Sequence, residues 1–482
     1  MCNQTTVVSH PFAFLYLCEN LAKRASHGLR GRWQSVPFMV VIEKIFRRKG
    51  GMKMAVIDSE KIFYIMKNTF NRIDDRLVDH GQRVSELVIK TLEDRGGYSQ
   101  KELRDIAVIC YLHDIGAYKT EEIDQILSFE TEEVHEHSLY GYLFLKYFSS
   151  LEEFAKIVLY HHVPWKFIDR YEPEYKYMEV AQLLYLADRI DIYVQLSHNT
   201  NIYLMLEKFR GKLVKSEIID WFLETDEKHH IMEQVYIKKE EWLPKQLKTE
   251  PFTEEEIDSY LRLISYAIDF RSQYMVSHTI TTTRFSCELA KLCGCSKEEE
   301  KLIRYGALLH DVGKVAIPNR ILDYPGKLSK VDMDTMRTHV DHSIEILKGV
   351  ISDDVMEIAV RHHEKLNGSG YPRGLTEEEL TIPQRIVAIA DILSALVGKR
   401  SYKEEFDDET IAKILREMVG RHEIDGKIVE IAIAHMSELR KKVKKQCEPI
   451  LQKYYHLWEE YENNIDRFQQ KKNNFIDARV DL

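Results

Sequence analysis

Proline and glycine are scarce in this chain, 11 and 21 of 482 residues. A fold built from many short strands needs far more turn residues than that, so β-sandwiches and barrels are disfavoured. Cysteine is sparse too: Cys2, Cys18, Cys110, Cys287, Cys293, Cys295 and Cys447 are odd in number and form no paired CxxC units. That pattern argues against a disulfide framework or a zinc knuckle and fits a reducing cytoplasm. Cys293 and Cys295 make only a CGC, which reads as a loop or helix end. Long apolar runs are missing as well. The longest near the start, VPFMVVI at 36 to 42, is far too short to cross a bilayer, so no membrane span is expected. Excess positive charge is also absent: a net charge of −10 argues against a binder of DNA or RNA polymers, which needs a basic footprint. A small phosphorylated ligand stays compatible with that charge.

What is present is the composition of an ordinary globular protein, 44% apolar and 30% charged, long enough for two or three domains. The first 54 residues stand apart, with nine Lys or Arg and two Glu; their charge of +7 leaves −10 − 7 = −17 for the rest. Residues 1–53 are read as a basic leader, either a targeting arm or, as we prefer, a product of a misassigned start with Met52 or Met54 as the true first residue. From about residue 58, apolar residues recur every three or four positions, as in EKIFYIMKNTFNRI and RDIAVICYLHDI, and the fold class is read as all-α. A charged segment marks a linker at 226–255, and Thr253 with Glu256 has the capping-box spacing that opens a helix. Domains are expected at 54–225 and 256–440. Polar helices follow at 441–482, a candidate surface for a homodimer.

An internal repeat dominates the rest of the reading. His80, His113 with Asp114, His137, His161 with His162, and Asp188 recur as His278, His310 with Asp311, His339, His362 with His363, and Asp391. The offsets are 198, 197, 202, 201 and 203, so two homologous units are present. One histidine on an apolar helix is usually a satisfied core residue; five histidines and two aspartates returning in the same order are a metal pocket. Seven side chains without a thiolate exceed what one tetrahedral zinc needs, which implies two divalent ions. Such a pair activates water and clamps a phosphoryl group during in-line displacement, so phosphoester hydrolysis is the expected reaction. Lys314, one helical step past the second His–Asp dyad, is placed to meet a phosphate oxygen.

The stretches HDVGKVAIP, MRTHVDHSIEIL, RHHEKLNGSGYPRGL and ADILSALVGKRSYK closely resemble the HD-GYP phosphodiesterases, a branch of the HD superfamily of metal-dependent phosphohydrolases. The resemblance covers roughly residues 256 to 440 and implies a helical bundle that hydrolyses a cyclic dinucleotide, chiefly cyclic di-GMP, to the linear dinucleotide and on to the mononucleotide. Carried over by position, it implies that His278, His310, Asp311 and Asp391 hold one metal, iron or manganese. Asp311 would bridge to a second metal completed by His339, His362 and His363. Gly370, Tyr371 and Pro372 would form the GYP loop beside the substrate, with Arg400 and Tyr402 near the ligand. Some family members carry a glutamate four residues before the first histidine for a third metal; Tyr274 stands there, so two are expected.

The N-terminal unit resembles an HD domain but has Ala117 at the lysine position, with Lys119 nearby, and no GYP after HHVPWKF. Its seven ligand positions are complete, so a further metal is expected there, while turnover is left open. His135, His342 and the Tyr324–Gly326 turn are read as bystanders. Two other readings stand beside the leading one. The first is a hydrolase of cyclic GMP-AMP or another nucleotide phosphoester; the second is a non-catalytic nucleotide or metal sensor, disfavoured by the complete ligand set with Lys314 in place.

Overall fold

Helix starts written into the sequence are the starts seen in the computed structural model, which describes residues 57–120, 135–196, 201–238, 242–272, 277–324, 326–398 and 406–476. Thr253 accepts from the Glu256 backbone and Glu256 reaches back to Thr253, the expected capping box, opening the Glu254–Asp269 helix. Ser99 with Glu102 and Ser296 with Glu299 do the same for Gln100–Tyr111 and Lys297–Leu309. Each box satisfies amide donors that a helix start leaves orphaned. The described residues contain helices and no strand, only two isolated bridges, so the all-α class holds. The basic leader, Arg400, Tyr402, Tyr274 and Pro325 lie outside the described residues.

Two bundles repeat one plan. In the first, His80–Arg95 packs on Gln100–Tyr111 and Met178–Leu196; in the second, His278–Leu292 packs on Lys297–Leu309 and Ile382–Val397. Leu87, Ile106 and Leu183 fill the first interior, Phe285, Ile303 and Val387 the second, all fully buried. Burying such side chains contributes about 1.5–3 kcal/mol each. The described parts of the 226–255 stretch, read as a linker, lie on the first bundle and include a π-helical turn, Gln234–Lys238. There Lys90 donates to Gln234 at 2.5 Å, and Gln246 to Glu93 at 2.5 Å.

The bundles share one continuous apolar core. Phe270 at the end of Glu254–Asp269 touches Phe148 at 5.1 Å and Phe144 at 5.8 Å across the seam. Arg104, buried in the first bundle, pairs with Glu256 of the second at 2.6 Å. One long helix, Met436–Ile476, also packs along the seam, and its buried Met436, Leu439, Val443, Cys447, Tyr454 and Leu457 follow helical spacing. Lys442 of this helix pairs with Glu288 of the second bundle at 2.5 Å, and Glu460 with Lys146 of the first at 2.8 Å. Among the described residues, no helix is long and apolar enough to cross a membrane.

Candidate metal centres

Each predicted metal-ligand set converges in space. In the second bundle the Asp311 carboxylate sits between two groups of imidazoles. Its Oδ2 faces His310 Nε2 at 3.1 Å and His278 Nε2 at 3.4 Å; its Oδ1 faces His339 Nε2 at 3.4 Å and His362 Nε2 at 3.8 Å. Asp391 closes the first group, 3.1 Å from His278, and His363 lies with His339 and His362 in the second. The first bundle copies this division. Asp114 Oδ2 faces His113 at 3.3 Å and His80 at 3.6 Å, Asp114 Oδ1 faces His137 at 3.6 Å and His161 at 3.9 Å, and Asp188 lies 3.4 Å from His80. His162 groups with His137 and His161.

The local chain aims these rings. In His113, His161, His310, His339 and His362, Nδ1 donates to the carbonyl three residues earlier, at 2.5 to 2.9 Å. That fixes the tautomer and leaves each Nε2 lone pair directed inward. Burial, against only partial compensation by carboxylates, depresses the imidazoles of His339 to about 4 and of His161 and His363 to about 3, so these rings are neutral and able to ligate. Burial alone would raise the Asp311 carboxyl, but His310, Lys314 and His278 outweigh it and hold it well below the carboxylate range.

The donor sets fit divalent ions. Asp311 Oδ1 and His310 Nε2 in the second bundle, and both Asp114 oxygens, His161 Nε2, His162 Nε2 and Asp188 Oδ1 in the first, are buried without a hydrogen-bond partner. Desolvated carboxylate and imidazole lone pairs gathered in this way are costly unless a cation satisfies them.

The two centres differ in their surroundings. His278 and Asp391 keep 14% of their side-chain surface open, against 5% for His80 and none for Asp188. Lys314 Nζ sits 2.6 Å from Asp311 Oδ2. Ala117 takes its place in the first bundle and is fully buried, while Lys119 turns away to donate to the Arg271 carbonyl at 3.1 Å. The first centre has instead a buried arginine, Arg189, 2.8 Å from Asp188.

The GYP segment lies against the second centre. Tyr371 stacks on His363 with ring centroids 4.7 Å apart, and the Arg337 guanidinium lies over the same tyrosine ring at 5.1 Å from its centre. Buried Glu364 accepts from the amides of Arg373 and Leu375 at 2.7 and 2.9 Å, which ties the loop shut. Gly370 is dictated by a close approach: a Cβ there would lie 2.4 Å from the Lys365 amide nitrogen and 2.5 Å from the Glu364 Cα. Gly370→Ala is therefore expected to displace Tyr371 and lower kcat/KM on the order of 10-fold while bound metal, measured by atomic emission, is retained.

Several residues of the centres escaped the sequence reading. Gly116 and Gly313 let the third ligand helix approach, since a Cβ would fall 2.0 Å from the His137 carbonyl oxygen and 1.9 Å from that of His339. Both follow the dyad at the repeat offset of 197, so a signal existed. Asp191 orients His80 through Nδ1 at 2.7 Å, whereas Ser394 stands near His278 Nδ1 at 3.2 Å. Here the residue types differ between copies, and the repeat gave no cue. His342, read as a bystander, lies beside Arg72 and Glu345 at the seam.

Family models described as HD domain match residues 77–193 and 262–428. The 3′3′-cGAMP-specific phosphodiesterase 1 of Vibrio cholerae serotype O1 is 26% identical over 411 residues, 79% of this chain and 93% of that protein. The cyclic di-GMP phosphodiesterase response regulator RpfG of Xanthomonas campestris pv. campestris is 36% identical over 164 residues, where the chain spans 43% of the relative's length. A crystal structure of a cyclic GMP-AMP specific phosphodiesterase from V. cholerae shares the fold with a TM-score of 0.50 at 17% identity, covering 79% of this chain and 98% of that one. The chain belongs to the HD-domain metal-dependent phosphohydrolases, with two HD domains in tandem and the second of the HD-GYP type.

Proposed function

We propose that this protein is a phosphodiesterase that opens a cyclic dinucleotide at its second domain, yielding the linear dinucleotide and then the mononucleotide. The observation that carries the reading is the Asp311 carboxylate, with one oxygen turned to His278 and His310 and the other to His339 and His362. His278, His310, Asp311 and Asp391 would hold one divalent ion, and Asp311, His339, His362 and His363 a second, iron or manganese. Ions bound there supply Lewis acidity toward water and toward a phosphoryl oxygen. The chain's own part is positional and electrostatic. Lys314 brings an ammonium to the carboxylate edge, where it offsets charge developing on the phosphate. Tyr371, held between His363 and Arg337, stands beside the centre on the substrate side of this reading. Arg400 and Tyr402 belong to the substrate side of this reading.

Cyclic di-GMP is the substrate suggested by the GYP motif. A second reading, 3′3′-cGAMP, is favoured by one observation: the relative that aligns with 79% of the chain is named for that compound. Chromatography of products after incubating manganese- or iron-loaded protein with both compounds tests the proposal. Linear dinucleotide from either one supports it, the faster of the two sets the substrate, and no product from either sinks it. We place the protein in a reducing cytoplasm, on the free cysteines Cys110, Cys287, Cys293, Cys295 and Cys447. A homodimer, if formed through Met436–Ile476, has to use a side other than the face packed on its own bundles, and light scattering reads this directly.

The first domain is proposed to bind metal without carrying the main activity, because it has Ala117 in place of the lysine, lacks the GYP loop and buries its ligands more deeply. Asp114→Ala should lower total bound metal yet leave most of the hydrolysis. Complete loss of turnover in a folded Asp114→Ala protein would make the first domain catalytic.

A further inference from the structure

Three consecutive residues after the Glu254–Asp269 helix begins to close reach three different places. Asp269, fully buried, accepts from the Thr279 amide at 3.0 Å and the Thr279 hydroxyl at 2.9 Å, next to His278. Phe270 sits between Phe148 of the first bundle and Tyr454 of the long helix, at 5.1 and 4.6 Å. Arg271 donates from its guanidinium to the Val315 carbonyl at 2.6 Å and accepts at its own carbonyl from Lys119 Nζ at 3.1 Å. Val315 follows Lys314 directly, on the short 3₁₀ turn Val312–Ala316, and Lys314 reaches Asp311 at 2.6 Å. Lys119 ends the equivalent turn after His113–Asp114, on the Ala117–Thr120 helix, with its ammonium over Trp458 of the long helix at 5.5 Å. The two His–Asp turns are therefore joined through one residue.

We infer that Arg271 is a positioning residue for Lys314, and that Lys119 of the first domain acts on the second centre through it. The 3₁₀ turn is short, and the residue three past Val315 is Pro318, which has no N–H to give the Val315 carbonyl. A charged donor on the Val315 carbonyl holds the Val315–Ala316 peptide, one residue past Lys314, and so steadies the turn that carries the lysine and the direction from which its ammonium meets the carboxylate. Lys119 in turn pins the Arg271 backbone from the other side of the seam, which explains why the first domain keeps a lysine near its dyad but points it outward. Neither residue touches the reacting atoms; both act by placing Lys314.

The inference rests on the second domain hydrolysing phosphodiesters, and the test separates the two. Full-length protein, metal-loaded, is assayed on cyclic di-GMP, 3′3′-cGAMP and bis(p-nitrophenyl) phosphate. Arg271→Ala is expected to lower kcat on the order of 10-fold with KM and metal content unchanged. Arg271→Lys should regain part of the rate, because an ammonium still offers a donor to the Val315 carbonyl. Lys119→Met should lower kcat by itself and add little in an Arg271→Ala background, since it acts through the same residue. An unchanged kcat in Arg271→Ala overturns the inference, as does a fall matched by loss of metal, or a Lys119→Met effect that adds in full. Turnover of the nitrophenyl ester without either dinucleotide would sink the substrate reading alone, and the same ratios are then read on the ester. Protein inert to all three overturns both.

Discussion

Asp311→Ala is expected to abolish hydrolysis, with a loss of at least ~1,000-fold, about 4 kcal/mol of barrier. Asp311 is the one side chain of the centre whose two oxygens serve opposite groups, Oδ2 toward His278 and His310 and Oδ1 toward His339 and His362. Without it each group is left with too few anionic oxygens to balance a divalent charge, and Lys314 loses its partner at 2.6 Å. Bound metal in the second domain should fall in parallel, which atomic emission on the purified variant measures. Asp311→Asn is the sharper control. It keeps the shape and one oxygen but removes the charge, so activity lost with the same severity assigns the effect to the carboxylate and not to the cavity. Near-native turnover in Asp311→Ala would mean that the assigned centre is wrong.

Lys314→Ala is expected to leave metal bound and the fold intact while the single-turnover rate falls about 100-fold, ~2.7 kcal/mol, the scale of removing one preorganised donor. The ammonium is largely enclosed and paired with Asp311, so the position of its charge is already set before substrate arrives. Lys314→Arg retains charge but brings a planar fork to a place shaped for a compact cation, and only part of the rate should return. Loss of metal equal to the loss of rate would instead assign Lys314 to holding the centre together.

The helical class and the doubling of the chain were legible because both are written as residue types at fixed spacing: apolar residues every three or four positions, the capping box at Thr253, and histidines and aspartates returning at offsets of 197 to 203. The carboxylate-centred division of each ligand set was legible as a list but not as geometry. Which oxygen of Asp311 faces which imidazole depends on four helices meeting. The glycine at Gly313 carries its reason only in three dimensions, through a helix that passes within 1.9 Å of where a Cβ would be. Asp191 beside His80 was hidden for another cause: its counterpart is Ser394, and a position whose chemistry changes between copies leaves no repeat to notice. Arg271 was invisible because its bonds go to backbone carbonyls, which every residue has. The 226–255 stretch reads as a linker from its charged composition, which carries no sign that Lys90 and Glu93 of the first bundle answer its Gln234 and Gln246.

The clasp between Lys146 and Glu460 spans 314 residues of chain. At ordinary synthesis rates roughly 15 to 60 s pass between the appearance of these two partners. Through that interval Tyr140, which ends up 5.6 Å from Trp458 and 6.0 Å from Tyr461, has nothing of the last helix to pack on. The first domain is thus born with an unfinished aromatic wall, and the nascent chain carries it as a sticky surface until the final helix arrives. Yield in a heterologous host should therefore respond to translation speed and to chaperones that shield aromatic surface, independently of how stable the finished protein is.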